Sequence, residues 1–518
     1  MSPISPGAAA AGPGRLRFAV LLTALFLVLA ALGASRHELW RDEMQAWLIA
    51  RDAPDLPALI EQGHYEGAPP LWPLLLRPLT LATHRPEAMQ VLTWALAGAT
   101  VFLIAARAPW GRVAKALLVG NYYLLFEYGT VCRNYLPGIL LLVAAAALFP
   151  AAPERPWPFV AALVGAALAS VYSLIVAVAL AAAHAARCRA EAGPDGVRAR
   201  GAFPAGPLLA VAAGVGLAVL AVLPRADTLY PQASGWILAW NPDRLAKVAW
   251  ALVCAHFPVP SPPGFFWIPP WHRPPPAFDH AWAVALAVAL VGGAVLLLRR
   301  HGPALVCYLV GTAGVAGFLY LKYLGFYRHA GFLFITFLLA MWLKEAGGPA
   351  GAGSGGIAGR LDRAGGLLLT LMLAVQAVTG LWALRTDLAE PFSCGRQAAR
   401  ILAERHLDRA FIAAGPDWAG APLAGYLDRS LYFPAARRTG SFTRWDNRRT
   451  DSVDDEEFFR RAAAEAKGAD FVVVVDHGWP PDFRRAHGIE DLAELHGSLT
   501  PYEDYYLYLA HGRAGGPP

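Results

Sequence analysis

The run WPFVAALVGAALASVYSLIVAVALAAAHAA, residues 157–186, holds thirty residues without a formal charge. One helix needs about 20 apolar residues to cross the hydrocarbon layer. The run is therefore one strongly tilted helix, or two helices meeting at its polar centre of Ser170, Tyr172 and Ser173. The choice sets the side of the membrane faced by every later loop. Lys and Arg collect in cytoplasmic loops. Arg15 and Arg17 put the N-terminus inside, and Arg107, Arg112 and Lys115 then also fall inside. With two helices, Arg187, Arg189, Arg198, Arg200, Arg299, Arg300, Lys344, Arg360 and Arg363 follow the same rule; with one helix every later basic loop lands outside. Two helices are therefore expected, with eleven spans in all and an external C-terminus.

Working outward, the remaining spans are read at 16–34, 88–106, 114–130, 136–149, 206–223, 281–298, 303–321, 330–343 and 366–384. Of the 518 residues only 16% are charged, against roughly 25% in a soluble domain. The expected class is an all-α polytopic membrane domain of about eleven transmembrane helices with a C-terminal α/β soluble domain. Residues 1–15 read as a disordered cytoplasmic N-terminus, and the first span is long for a signal-peptide core, so it reads as a retained anchor. The membrane domain runs over 16–345, with external loops at 35–87 and 225–280. A Gly/Ala-rich cytoplasmic linker at 346–365 leads to the last span, and 385–518 forms the external domain. Phe265, Phe266, Trp267 and Trp271, set among prolines, suit the headgroup layer.

The five cysteines form no C-x-x-C pair, so neither a zinc site nor a disulfide framework is expected. No basic tract of the kind that follows nucleic acid is present. In the tail, strand-like 410–414, 471–475 and 505–510 alternate with helix-like 393–406, 417–428 and 454–467, which suggests a parallel sheet. It has no G-x-G-x-x-G fingerprint. Arg437, Arg438, Arg444, Arg448 and Arg449 cluster in one loop that could hold an anionic acceptor, although a solvated basic loop is the favoured reading.

Polar groups concentrate just outside the spans. Arg36-His37-Glu38-Leu39-Trp40-Arg41-Asp42-Glu43-Met44-Gln45-Ala46-Trp47 follows the first one. Trp40, Met44, Trp47 and Leu48 recur at helical spacing, so this helix is expected to lie flat on the membrane with Asp42 facing the water. Later in the same loop come His64-Tyr65-Glu66-Gly67-Ala68-Pro69-Pro70-Leu71-Trp72, with prolines suited to open a helix over about 70–79. Glu127-Tyr128-Gly129-Thr130-Val131-Cys132-Arg133-Asn134-Tyr135 makes an external turn whose Arg suits phosphate oxygens or a pairing with Asp42. Lys322-Tyr323-Leu324-Gly325-Phe326-Tyr327-Arg328-His329 places three basic groups on the outer side, against the charge rule, which points to a lipid phosphate.

An acid pair among cations at one leaflet suits transfer of a sugar from a polyprenyl phosphate. A base takes the acceptor hydroxyl proton as the oxygen attacks the anomeric carbon. Cations hold the leaving phosphate. Asp42, with Glu43 beside it, is the expected base; Arg133, Tyr135, Lys322, Tyr327, Arg328 and His329 are the candidates for the donor phosphate and lipid; His64, Glu66 and Trp72 are candidates for sugar or acceptor.

Trp40-Arg41-Asp42-Glu43, then Pro69-Pro70-Leu71-Trp72, then Arg133-Asn134-Tyr135, in this order, resemble the GT-C membrane glycosyltransferases, in particular bacterial relatives of the protein O-mannosyltransferases and lipid A aminoarabinose transferases. The resemblance covers roughly residues 16–343. It implies inverting transfer from a polyprenyl-phosphate sugar to a lipid, protein or polysaccharide acceptor at the external face of an inner membrane, with Asp42 at the catalytic acid/base position and Glu43 assisting. The family often has His before Pro-Pro-Leu, where this chain has Ala68. Some relatives use a divalent metal; no spacing here compels one, although Asp42, Glu43 and Glu66 supply oxygens. A lipid or solute transporter would place ionisable groups near the midplane and show repeats; these spans do neither. A non-catalytic envelope assembly protein docking through its tail is the third reading.

Overall fold

The computed structural model describes residues 13–192, 205–229, 235–259, 268–272, 280–347, 357–450 and 453–512. The helices α1 (Pro13–Arg36), α2 (Arg41–Asp52), α3 (Leu56–Glu66), α4 (Leu71–Ala82), α5 (Glu87–Arg107), α6 (Arg112–Leu117), α7 (Tyr135–Leu148) and α8 (Pro156–Ala167) come first. They are followed by α9 (Val171–Ala192), α10 (Ala205–Val222), α11 (Pro242–His256), α12 (His280–Leu298), α13 (Gly302–Leu321), α14 (Tyr327–Ala346) and α15 (Ile357–Ala389). Among the described residues eight of these (α1, α5, α9, α10, α12, α13, α14 and α15) are long and apolar enough to cross a membrane. The shorter apolar helices include α4, α7 and α8.

Residues 157–186 form two helices, α8 and α9. The Ser170 hydroxyl accepts the Ser173 N–H at 3.0 Å, and Asn134 donates to the Ala169 carbonyl at 3.1 Å. Both satisfy backbone groups that a helix break exposes.

Residues 114–130 are not a continuous span. α6 is followed by a 3-10 turn (Leu118–Gly120) and a π-turn (Tyr122–Glu127). Asn121 causes the break: its side chain accepts from the Tyr123 and Leu124 N–H groups and donates to Gln376 on α15. Gly380 lets α15 approach, since a Cβ there would meet the Gly120 carbonyl and the Tyr122 nitrogen.

α14 carries the least apolar span window, of mean hydropathy 1.3, and is also the most buried, at 89%. α12, with mean hydropathy 2.5, is only 22% buried. A helix surrounded by protein need not match lipid, so α14 can hold Arg328, His329 and Lys344.

Several boundaries differ from the sequence reading. α1 begins at Pro13, with residues 1–12 outside the described set. α14 and α15 extend into the expected linker 346–365 from both ends. The expected loop 225–280 contains α11, an amphipathic helix whose buried face packs against α12 and α14. Phe265, Phe266, Trp267, Arg198 and Arg200 lie outside the described residues. Trp271 is not a headgroup residue: it is fully buried and donates to the Gly325 carbonyl at 3.0 Å.

The C-terminal domain adds α16 (Gly395–Glu404), β1 (Phe411–Gly415), α17 (Asp417–Tyr426), β2 (Leu431–Phe433), β3 (Arg438–Gly440), α18 (Asp455–Ala466), β4 (Phe471–Val475), α19 (Pro481–His487), β5 (Ile489–Leu495) and β6 (Tyr505–Ala510). The sheet order is β3-β2-β1-β4-β6-β5. It is mixed rather than parallel: β1 runs parallel to β2 and β4, while the other pairings are antiparallel.

α2 does not lie on a membrane surface. Met44, Trp47 and Leu48 are fully buried in one cluster with Ala398, Leu402, Leu423 and Ala424 of the C-terminal domain and with Leu76 of α4. The stripe is apolar because a domain covers it. Each such side chain contributes roughly 1.5–3 kcal/mol on burial. α2 is thus the bolt between the helical bundle and the sheet domain.

Candidate active site

Asp42 lies in the first turn of α2, the end at which a helix dipole favours an anion. The turn before α7 brings Arg133, whose Nη1 lies 2.7 Å from Asp42 Oδ2. The first turn of α14 brings Arg328, with Nη2 at 3.6 Å from the same oxygen. Arg41 stands 3.9 Å from Oδ1. All three guanidiniums sit 5.4–5.9 Å from the Trp40 ring centroid. One indole and one carboxylate therefore organise three cations. Burial pushes the Asp42 carboxyl up, but Arg133, Arg328 and Arg41 outweigh it and hold Asp42 below the usual carboxylate range.

These groups line a cavity of about 610 Å³ between the bundle and the C-terminal domain. Its lining carries Arg41, Arg133 and Arg328 against Asp42 and Glu66. Glu66 accepts the Gln45 amide at 2.8 Å; even so, burial raises its carboxyl to about 7, with the nearby Asp42 charge adding to the effect. The C-terminal domain supplies Trp418, Thr443, Trp445, Pro501 and Tyr502 to the same cavity. The cavity is cationic at the Asp42 end and rich in aromatic and amide groups elsewhere.

A buried charge network lies beneath the α2 end of the site. His37 is fully buried between Asp387 of α15 and Glu43, at 3.1 Å from each. Desolvation lowers the imidazole, but Asp387 and Glu43 outweigh it and raise it to about 10, so it is a cation at neutral pH. Glu43 also accepts the N–H of Trp40 at 3.1 Å and that of Cys132. It thereby ties the residue before Arg133 to the turn bearing Asp42.

No family model and no curated protein sequence matches the chain. Among solved structures, ArnT from Cupriavidus metallidurans bound to undecaprenyl phosphate superposes with a TM-score of 0.50 at 12% identity, covering 98% of this chain and 100% of that one. The chain has the ArnT fold. The same ArnT in its apo state gives a TM-score of 0.46 at 13% identity, over 96% and 99% of the two chains. The likeness spans both the helical bundle and the sheet domain, whereas the GT-C resemblance read from the sequence covered only residues 16–343.

Within this ArnT-type fold, Asp42, Arg133, Arg328, Glu66 and Trp72 converge on the cavity. The other expected site residues do not line it. Glu43 is fully buried in the network above, its oxygens taken up by His37 and by the Trp40 and Cys132 N–H groups. His329 Nδ1 accepts the Phe326 N–H at 2.8 Å, so Nε2 carries the proton and donates to the Tyr135 hydroxyl oxygen at 2.8 Å. Both side chains are spent on holding the α14 turn against α7. Tyr327 packs its ring on Tyr122 and Trp271. Lys322 reaches the Gly235 carbonyl and the Trp236 ring, away from the cavity. His64 bonds the Leu223 carbonyl at 2.7 Å, which ties α3 to the end of α10.

The five-arginine loop is only partly solvated. Arg449 is buried against Asp417 at 3.0 Å, and Arg444 donates to the Tyr65 hydroxyl at 3.1 Å, so the loop docks on α3. Arg437 and Arg448 are exposed. Sequence reasoning missed Gln45, three residues past Asp42, and Gln62, four residues before Glu66; both spacings place them on the cavity face of their helices. Trp418, Thr443 and Trp445 left no local signal. Among the described residues no three His, Cys, Asp or Glu side chains gather as a metal site. A cation beside Asp42 would also meet two guanidiniums.

Proposed function

We propose that this chain is an inverting membrane glycosyltransferase that moves a sugar from a polyprenyl-phosphate donor to an acceptor hydroxyl. The observation that carries the reading is the convergence of Arg133 and Arg328 on one Asp42 oxygen at the wall of a large cavity. A donor phosphodiester arriving there competes with Asp42 for both guanidiniums. The carboxylate so released regains basicity and takes the proton of the acceptor hydroxyl as that oxygen attacks the anomeric carbon. The C–O bond to phosphate breaks, and the two arginines, with Arg41 close by, neutralise the charge gained by the leaving group. The ArnT structure bound to undecaprenyl phosphate supports a polyprenyl-phosphate ligand for a fold of this kind.

The reading places the reaction at the external face of an inner membrane. Support comes from the opposite end of α1, where Arg15, Arg112 and Lys115 gather, as basic residues do on the cytoplasmic side. The N-terminus is then cytoplasmic and the sheet domain external.

The test is a mass-spectrometric lipid profile of cells lacking the protein, complemented with wild type or Asp42→Asn. Loss of the base is expected to slow transfer by about 10²–10⁴-fold, so a polyprenyl-phosphate sugar accumulates with the variant and not with wild type. Matching profiles with both proteins present in the membrane would remove Asp42 from the mechanism.

A further inference from the structure

A second cavity lies at the opposite end of α1 from Asp42. It measures about 450 Å³ and is walled by the first turns of α1, by residues 108–111 and by α6. Arg15, Arg112 and Lys115 line it, and the lining holds no Asp or Glu. Basic residues that merely mark one side of a membrane stand in water. Lys115 does not. It is 5% exposed, and its ammonium donates to the Ala105 carbonyl at 2.9 Å. Lys is almost never fully buried unless it is paired, yet among the described residues no carboxylate forms an ion pair with any of the three cations. Residues 1–12, which precede α1, contain no Asp or Glu either.

Two of the cations have a structural use. The Lys115 bond, and that of Arg15 to the Ala108 carbonyl at 3.0 Å, finish the C-terminal end of α5, where the helix dipole favours positive charge. Each bond takes one donor of an ammonium's three or a guanidinium's five. Arg112 instead lies over the Phe18 ring, 5.7 Å from its centroid. The cavity therefore gathers three positive charges and no anion. Trp110, in the same lining, meets Trp342 of α14 edge-on at 5.6 Å, which fixes this wall to the most buried span. Beside the cations, Leu16 and Val20 of α1 and Val113 of α6 are exposed, so positive charge at the end of the span adjoins an uncovered apolar face.

We propose that Arg15, Arg112 and Lys115 form a second ligand site, on the membrane face opposite the active site, which binds a phosphate group carried by an anionic phospholipid or free in solution. Arg15 and Arg112 are exposed and offer forked donors to phosphate oxygens, while Lys115 adds a point charge. Basic pockets between helices at the end of a span suit lipid head groups, and the apolar face beside this one gives acyl chains a surface to follow. The bound anion bridges α1 to the turn between α5 and α6. The inference is independent of the functional reading above, in which the donor phosphate meets Arg133 and Arg328 on the other face.

The experiment is native mass spectrometry of the full chain in micelles, titrated with phosphatidylglycerol, with phosphatidylcholine and with inorganic phosphate. Phosphatidylglycerol is expected to bind more tightly than phosphatidylcholine. Arg112→Gln, which leaves the bond from Arg15 to Ala108 in place, is expected to weaken phosphatidylglycerol binding about fivefold, and Arg15→Gln with Arg112→Gln about 25-fold. Arg17→Gln with Arg107→Gln removes the same charge from the same end of the bundle but from outside the lining, and affinity should stay within about twofold. If phosphatidylglycerol shows no preference but inorganic phosphate binds and is lost with Arg15→Gln and Arg112→Gln, the site stands with free phosphate as its ligand. Equal losses in the two double variants, or no response of either ligand to Arg15 and Arg112, would overturn the site and leave a diffuse basic rim.

Discussion

Glu43 offers the sharpest test of how the site is held. It sits beside Asp42 in sequence, yet its oxygens face inward to two backbone N–H groups and to His37. Glu43→Leu strands the buried Trp40 and Cys132 amides, at about 1–3 kcal/mol each. It also leaves the His37 cation with Asp387 alone, and breaking a buried ion pair costs about 3–5 kcal/mol. The two costs overlap, so the expected loss is about 3–5 kcal/mol of stability rather than their sum. Glu43→Gln keeps one acceptor and turns an amide towards a donor, for about 1–3 kcal/mol. Denaturant unfolding in micelles measures both, with transfer activity and lipid-phosphate affinity followed in parallel. Stability, affinity and activity are expected to fall together, because the Trp40–Asp42 turn and Arg133 move when the staple is cut. The network also has a pH signature. The folded pKa of His37, about 10, lies above its usual 6.5, so its contribution is complete below pH 6.5 and fades as pH rises through about 10. Glu43→Gln flattens that alkaline loss. A Glu43→Leu protein as stable as wild type would refute the staple, and an inactive Glu43→Gln with full stability and lipid affinity would make Glu43 a proton-transfer group instead.

Glu66→Gln should change stability in a pH-dependent way. The wild-type carboxyl, raised from 4.5 to about 7, keeps its proton longer when folded, so wild-type stability falls as pH rises from 4.5 to 7. The variant lacks that fall, and melting midpoints at pH 5 and pH 8 will register the difference. Arg449→Met leaves Asp417 buried and uncompensated; a loss of about 3–5 kcal/mol is expected, partly recovered by adding Asp417→Asn, as read by denaturant unfolding. Gly380→Ala drives a methyl into the Gly120 and Tyr122 backbone; thermal unfolding should reveal about 1–3 kcal/mol of destabilisation from this overpacking.

Much of this architecture is legible because membranes impose a coarse rule. A segment that meets lipid must be apolar over its whole length, so α1, α5, α9, α10, α12, α13 and α15 were visible as uninterrupted runs. The thirty-residue run resolved into two helices on charge alone, and Ser170 at its centre is the residue that caps the second. Asp42, Arg133 and Arg328 were readable as acids and cations placed just outside spans. The rule failed at 114–130, which is apolar because protein surrounds it, and where Asn121 ends the helix through a bond to Gln376 more than 250 residues later.

Periodicity specified that α2 has an apolar face and left open what covers it. Lipid and the sheet domain exclude water equally well, so Met44, Trp47 and Leu48 read alike under either cover. The direction of a charged side chain was equally hidden: Asp42 and Glu43 are neighbours in sequence, but about 100° of helical turn sends one into the cavity and the other into the core. The sequence alone determined the membrane class, most of the spans, and that an acid and arginines lie just outside them. Tertiary structure decided which of those charges meet, and that Thr443 and Trp418, some four hundred residues from Asp42, complete the cavity. Such a contact is fixed by how two domains dock, and docking is a property of surfaces brought together by the whole chain rather than of any local stretch.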